Sequence, residues 1–277
     1  MADADTREVL GRTAAILQIV ADGSGTGMSG RVEMMGCLID NLSMEETLQR
    51  IEGFIESGRP HQHVVVNVDK LVKASKDPEL RRIINECALI NVDGMPVVWA
   101  SRLLGKPLKE RVAGVDLFES LVKRAAEKEW RVFFLGAQEE IVSGVKNLYE
   151  KTLPGLRVAG YRNGYWRSEE EATVVKLIAD SRPDLLFVAI SSPKKEEFLS
   201  RYQAEMKVPF AMGVGGTFDV VVGNVKRAPI WMRQWSLEWF FRFLQEPGRM
   251  FKRYFIDDMF FFWLLSKELF RKLARLA

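Results

Sequence analysis

Val208-Pro-Phe-Ala-Met-Gly-Val-Gly-Gly-Thr-Phe-Asp219, continuing through Val220-Val-Val-Gly-Asn-Val-Lys-Arg-Ala-Pro229, reads as a buried strand that stops at a glycine cluster and turns into a helix start. Gly213, Gly215 and Gly216 let the backbone take positive φ and bring amide groups close to a ligand. Thr217 is the candidate N-cap, and the amides after it, up to Asp219, face an anion such as a diphosphate. By itself the loop is a weak signal. Gly213-Val-Gly215 begins like a dinucleotide fingerprint, but Phe218 occupies the third glycine position and the loop falls late in the chain.

Upstream, strands and helices alternate. Strands are predicted at Arg31 to Ile39, Val64 to Asn67, Ala88 to Val92, Arg131 to Leu135, Arg157 to Tyr161 and Leu185 to Ile190. Capping boxes at Ser43-Met-Glu-Glu46 and Ser168-Glu-Glu-Glu171 open helices, and Ser192-Pro193 reads as an N-cap and first helical position. Continuous apolar strands alternating with helices predict a Rossmann-like α/β fold, a mostly parallel sheet with helices on both faces. Ligands of such sheets sit beyond the carboxyl ends of the strands. That gathers Asn67, Asp93, Gly136, Ser191 to Glu196 and the 213–219 loop around one cleft.

The chain divides into a flexible extension (1–30), an α/β catalytic domain (31–228) and a C-terminal helical, basic-aromatic appendage (229–277). Its 277 residues are 47% hydrophobic and 28% charged, which is ordinary for a globular protein and excludes wholesale disorder. Two cysteines, Cys37 and Cys87, are too few for a disulfide framework and favour a reducing compartment. No N-terminal segment has the basic-then-apolar layout of a signal peptide. The net charge of +3 is unevenly spread, because residues 226–277 hold eleven Lys and Arg against five Asp and Glu. They also hold 14 of the 29 aromatics, a combination that points to an anionic membrane surface before nucleic acid. Leu237, Phe240, Phe241 and Leu244 share one helical face, and Phe251, Tyr254, Phe255, Met259, Phe262 and Trp263 make a second. The apolar run Met259 to Leu265 is far short of the roughly 20 residues a membrane span needs.

Asp93 ends a buried strand before Gly94. It is either a general base for an acceptor hydroxyl or a helix cap. Asn67 either holds a sugar hydroxyl or satisfies loop backbone. Arg227, Arg233, Arg242, Arg249 and Arg253 either clamp a leaving diphosphate or face solvent and lipid. No metal site is expected: Asp3-Ala-Asp5 lies in the extension, and His61 and His63, read as loop histidines, have no third ligand nearby.

Asn67, Asp93-Gly-Met, Gly114-Val-Asp116, Phe134-Leu-Gly136, Asn163-Gly-Tyr165, Ser192-Pro-Lys-Lys-Glu196, Gly213 to Asp219, Gly223 to Pro229 and Leu237-Glu-Trp-x-x-Arg242 with Glu246-Pro-x-x-Arg249 occur in a particular order. That order resembles the WecG/TagA/CpsF glycosyltransferases over about residues 33 to 255, and the last three blocks are very specific. The resemblance implies transfer of a sugar from a nucleotide diphosphate to a lipid-diphosphate-linked acceptor at the cytoplasmic face, with inversion and no bound metal or other cofactor. It assigns Asp93 as base and Asn67 beside the sugar. Gly136, Lys195, Glu196, Gly213, Gly215, Gly216, Thr217, Asp219 and Arg227 fall to the donor pocket, and Arg242 and Arg249 to the diphosphate. Val65 and Lys195 depart from the family's usual Thr and Gln. Those departures make a glucosyl donor an alternative to N-acetylmannosamine, and they leave Lys195 facing a donor carboxylate or the diphosphate. The partners expected are a UDP-sugar, a polyprenyl-diphosphate-linked saccharide and a membrane surface, with homo-oligomerisation left open. A non-catalytic nucleotide-binding membrane adaptor is the rival reading, and a nicotinamide oxidoreductase a distant third.

Overall fold

The computed structural model describes residues 30–235, 237–252 and 258–274; all but the last residue of the expected N-terminal extension lies outside them. From Val32 onward the chain forms one compact unit. β1 (Arg31–Met34) and β2 (Cys37–Asp40) make a small two-stranded sheet, and α1 (Met44–Glu56) leads into β3 (His61–Val66). α2 (Val68–Lys76) and α3 (Pro78–Glu86) return to β4 (Leu89–Val92), and α4 (Met95–Leu103) and α5 (Gly114–Glu127) cross to β5 (Arg131–Gly136). α6 (Glu139–Thr152), β6 (Arg157–Arg162), α7 (Glu171–Ser181), β7 (Leu185–Ala189), α8 (Lys194–Met206) and β8 (Phe210–Gly213) continue the alternation. Five helices follow: α9 (Thr217–Val221), α10 (Ile230–Gln234), α11 (Glu238–Gln245), α12 (Pro247–Lys252) and α13 (Met259–Ala274).

The main sheet has six parallel strands in the order β4-β3-β8-β7-β5-β6. Side chains alternate across it with period two. Phe134 and Phe187 point to one face, where Leu117, Phe118 and Leu121 of α5 pack on them. Phe133 and Leu186 point to the other, against Val174, Ile178 and Phe198 of α7 and α8. Every residue of β4 and β7 is buried, as a sheet covered on both faces requires.

Three local expectations change. The single first strand is a hairpin, because Met35 and Gly36 take positive φ (51° and 82°) and turn the chain back. Ser43 does cap α1 in a full capping box, but the second box uses Arg167 and Glu170, leaving Ser168 inside a 3-10 turn. His61 and His63 belong to β3 rather than to a loop. His63 is fully buried, its Nε2 lies 2.9 Å from Asn91 Oδ1, and burial pushes its pKa down to about 4.

The C-terminal helices do not form one uniform face. Phe261 and Leu265 of α13 enter the core beside Met34, Ile39, Leu71 and Leu104. No residue of α11 is buried, and Phe240 and Leu244, half of its predicted apolar stripe, are exposed. Phe251, Met259, Phe262 and Trp263 of the second stripe are exposed as well, while Tyr254 and Phe255 lie outside the described residues. Among the described residues, no helix is long and apolar enough to cross a membrane.

Candidate active site

β3 and β8 are neighbours whose continuations diverge: the chain after β3 returns to β4, while that after β8 runs on to the C-terminal helices. A crevice opens at such a switch point. Here it is a cavity of ≈ 530 Å³ whose lining includes Asn67, Asp93, Lys195, Gly213, Gly215, Gly216, Thr217, Asp219 and Arg242. Nine of the thirteen site residues expected from sequence therefore meet in one place.

On one wall Asp93 follows β4, where Gly94 at φ 110° starts α4 in a conformation that L side chains rarely adopt. Asp93 is therefore not a cap, since α4 has no side-chain N-cap. The Gly114 amide, at the start of α5, donates to its Oδ2 over a long 3.5 Å. Arg111 Nη1 stands 3.8 Å from Oδ1, and 35% of the Asp93 side chain faces the opening. Burial pushes the Asp93 pKa up, Arg111 pulls it back, Glu238 pushes it up again and Arg242 lowers it; the net shift is upward. An ionised carboxylate with a raised pKa, open to a cleft, is suited to accept a proton.

Arg111 was not singled out from sequence. It lies between Asp93 and Glu238, whose Oε2 it contacts at 2.6 Å. Glu238 also approaches Arg227 at 3.8 Å, and Arg227 pairs with Asp116. Arg227, expected in the donor pocket, is thus spent on carboxylates of α5 and α11. It lines a small neighbouring recess rather than the cleft. The effect is a chain of alternating charges that fastens α11 to the catalytic wall. This brings Arg242, Gln245, Glu246 and Met250 over the cleft. The Arg249 side chain lies outside the described residues.

The floor is built differently. Asn67 caps α2, its Oδ1 accepting from the Lys70 amide at 2.9 Å, while its Nδ2 has no partner among the described residues. The backbone-satisfying and ligand-holding readings of Asn67 are therefore compatible, the backbone group being the Lys70 amide of α2. Lys70 and Lys195 both approach Glu196, and all three are buried. Glu196, expected to touch substrate, instead sits below the lining with one oxygen on Lys70 and Oε2 without a partner among the described residues. Burial pushes its pKa up, but Lys70 and Lys195 outweigh that and hold it below the ordinary value. Two cations against one carboxylate leave a positive surplus. Burial and then Lys70 push Lys195 down to about 8. Lys70 carried a readable signal, a lysine three positions after Asn67 at a strand end, on a helix face that faces inward.

The glycines act in separate ways. Gly213 makes room, since a Cβ there would lie 2.8 Å from Cδ and Cε of Lys195. Of the three, only Gly215 takes positive φ (56°). Gly216, not Thr217, is the N-cap of α9. Thr217 is buried, and its Oγ1 donates to the Val214 carbonyl at 2.7 Å, which fixes the loop. Gly136 is not among the cleft-lining residues; it has φ 118°, and a Cβ there would run into the Ala189 carbonyl at 2.4 Å, so its role is to let β5 lie against β7. Ser192 lines the cleft with a buried Oγ that has no partner among the described residues, and α8 begins at Lys194 rather than at Pro193. An orphaned hydroxyl in a cleft is a natural ligand contact.

Comparison with known proteins follows the same geography. A protein of Bacillus spizizenii named N-acetylglucosaminyldiphosphoundecaprenol N-acetyl-beta-D-mannosaminyltransferase is 39% identical over 186 residues, covering 67% of this chain and 72% of the relative. One of the same name from Bacillus subtilis is 38% identical, covering 66% and 71%. A third, from Staphylococcus aureus, is 31% identical over 224 residues, covering 80% and 87%. The profile of the Glycosyl transferase WecG/TagA/CpsF family matches residues 32–275, from the first hairpin through the C-terminal helices. With the cleft and its two walls inside that span, the chain belongs to the WecG/TagA/CpsF family and is a glycosyltransferase.

Proposed function

We propose that the protein moves a sugar from a UDP-sugar to a polyprenyl-diphosphate-linked saccharide, as an inverting enzyme seated on the cytoplasmic face of a membrane. The observation that carries this reading is Asp93, a carboxylate with a raised pKa that opens onto a cleft also lined by Lys195, Arg242 and the Gly213 to Gly216 loop. Asp93 takes the proton of the acceptor hydroxyl as that oxygen bonds to the anomeric carbon. The bond from that carbon to the donor phosphate breaks, and UDP leaves with its electron pair. Lys195 and Arg242, both in the cleft lining, supply positive charge to the diphosphate as charge builds there. Asn67 Nδ2 and Ser192 Oγ, without partners among the described residues, hold sugar hydroxyls.

The relatives' printed names support an undecaprenol-diphosphate acceptor carrying N-acetylglucosamine and an N-acetylmannosaminyl donor. Val65 and Lys195 in the cleft lining keep a glucosyl donor in play, in which case the setting is exopolysaccharide synthesis. The exposed apolar residues of α11, α12 and α13 support membrane contact through the C-terminal segment, residues 229–277.

The test is a panel of UDP-sugars with N-acetylglucosaminyl- and glucosyl-diphosphate polyprenol acceptors, assayed with and without EDTA. Labelled lipid product with one donor, undiminished by EDTA, is the expected result. UDP-sugar binding with no product from any acceptor would favour the adaptor reading instead.

A further inference from the structure

A second cavity, of ≈ 630 Å³, lies away from the cleft, between the β1–β2 hairpin, α3, the turn after α4 and α13. Five cations line it: Arg81, Lys106, Lys267, Arg271 and Lys272, against the carboxylates of Glu33 and Glu268. Five against two leaves a surplus of three positive charges, and neither carboxylate forms an ion pair with a lining cation among the described residues. Glu268 Oε2 accepts the Met35 amide at 3.1 Å, and Lys106 Nζ donates to the Glu33 main-chain carbonyl at 3.0 Å. Arg81, Lys267, Arg271 and Lys272 form no ion pair among the described residues. Backbone gives way to the cations as well. A Cβ on Gly36 would meet Arg81 Cδ at 3.1 Å, and one on Gly105 would meet Lys272 Nζ at 2.6 Å. A surplus of cations around a concavity raises the local positive potential and draws an anion to it.

The surroundings say what kind of anion. Met259, Trp263 and Phe270 are exposed at i, i+4 and i+11 on α13, a stripe beside Lys267 and Arg271. Lys267 lies over the Trp263 ring at 5.1 Å, so cation and aromatic share one surface. Basic side chains around a pocket, with an aromatic and aliphatic shoulder, match a phosphate whose ester carries acyl chains.

We propose that this groove is a second anion-binding site and takes the phosphate head group of an anionic phospholipid. The hairpin and α3 contribute to it as much as the C-terminal helix does. It holds the cleft at a set height and angle on the bilayer, because a head group bound between α13 and α3 fixes orientation, which a loose basic tail does not. The inference rests on the membrane part of the proposed function and not on the chemistry in the cleft.

The experiment compares the full chain with the triple variant Arg81→Gln, Arg271→Gln, Lys272→Gln. A charge-matched control, Lys151→Gln, Arg157→Gln, Lys176→Gln, lies on α6, β6 and α7 at the opposite edge of the sheet. Partition is measured on phosphatidylcholine vesicles with and without phosphatidylglycerol, beside circular dichroism and transfer to a short-chain acceptor in detergent. Each cation lost near the surface weakens anionic binding about fivefold. The groove variant is therefore expected to lose on the order of a hundredfold on phosphatidylglycerol vesicles, with folding and detergent activity retained. The control is expected to lose tenfold or less. Equal losses in the two variants, or none in the groove variant, would overturn the site while leaving membrane association standing. Failure of the unmodified protein to bind either vesicle would overturn the membrane reading itself. Saturable binding of glycerol phosphate, abolished in the groove variant and without any vesicle preference, would assign the groove to a soluble phosphate and overturn the lipid.

Discussion

The two sides of the cleft handle charge in opposite ways. The wall at Asp93 is long and carries one carboxylate in excess: Asp93, Arg111, Glu238, Arg227 and Asp116 alternate in sign from the end of β4 through α11 to α5. The floor is compact and unbalanced, with Lys70 and Lys195 around one buried Glu196. An alternating chain of partly exposed ions adds little net stability but holds two elements in register. A buried surplus cation costs stability until a ligand brings a negative charge. The wall is therefore machinery for placing a base and closing a helix over it, and the floor is a waiting anion site.

This contrast predicts that damage to the wall appears in kcat and damage to the floor in donor KM. The largest effect is expected from Asp93→Asn, which removes the proton acceptor while keeping shape. Transfer should fall roughly 10²–10⁴-fold with donor KM little changed. Turnover like that of the unmodified protein would take Asp93 out of the reaction.

Next in size is Lys195→Met. Donor KM should rise about tenfold or more, with a smaller change in kcat, because a diphosphate or carboxylate loses its counter-charge. The ligand-free protein should at the same time become more stable at pH 7, by up to about 3 kcal/mol, since a lysine held near 8 instead of its ordinary 10.5 is penalised in its charged form. The sign follows from linkage. The folded pKa is depressed, so the unfolded chain binds more protons between about 8 and 10.5, and the unmodified protein gains stability as pH rises through that window. Thermal melts of both proteins from pH 7 to 10.5 check it; a Lys195→Met protein less stable than its parent at pH 7 would break the contrast.

The finest test uses the wall's two neighbours of Asp93, which push its pKa in opposite directions. Arg111→Gln removes a lowering charge, so the acid limb of kcat/KM should move to higher pH. Glu238→Gln removes a raising charge and leaves Arg111 to Asp93, so the limb should move to lower pH. Shifts of about half a pH unit to one unit are expected for partly screened charges at this range. Shifts in the same direction would show that the limb belongs to another group.

The alternation of apolar strands with capped helices was enough to read a parallel α/β sheet, and the strand ends named Asn67, Asp93, Lys195 and the 213–219 loop as cleft residues. Those features are local: periodicity, a cap, a glycine cluster after a strand. What the pattern misassigned depended on partners distant in sequence. Gly213 was read as a position for positive φ and close approach to a ligand, but it is small because the Lys195 stem crosses it. Arg227 was read as a ligand clamp, but Asp116, 111 residues earlier, claims it.

The sequence alone determined the layered sheet, the end of it that carries the site, and the basic-aromatic character of the last fifty or so residues, because each follows from side chains a few positions apart. Only the tertiary structure decided which charges face each other. It took Glu196 and Arg227 out of the lining, brought Arg111 beside Asp93, and split the C-terminal segment between core-packed α13 residues and an exposed α11. Charges interact across space with a strength set by burial and distance, and neither is written in the order of residues along the chain.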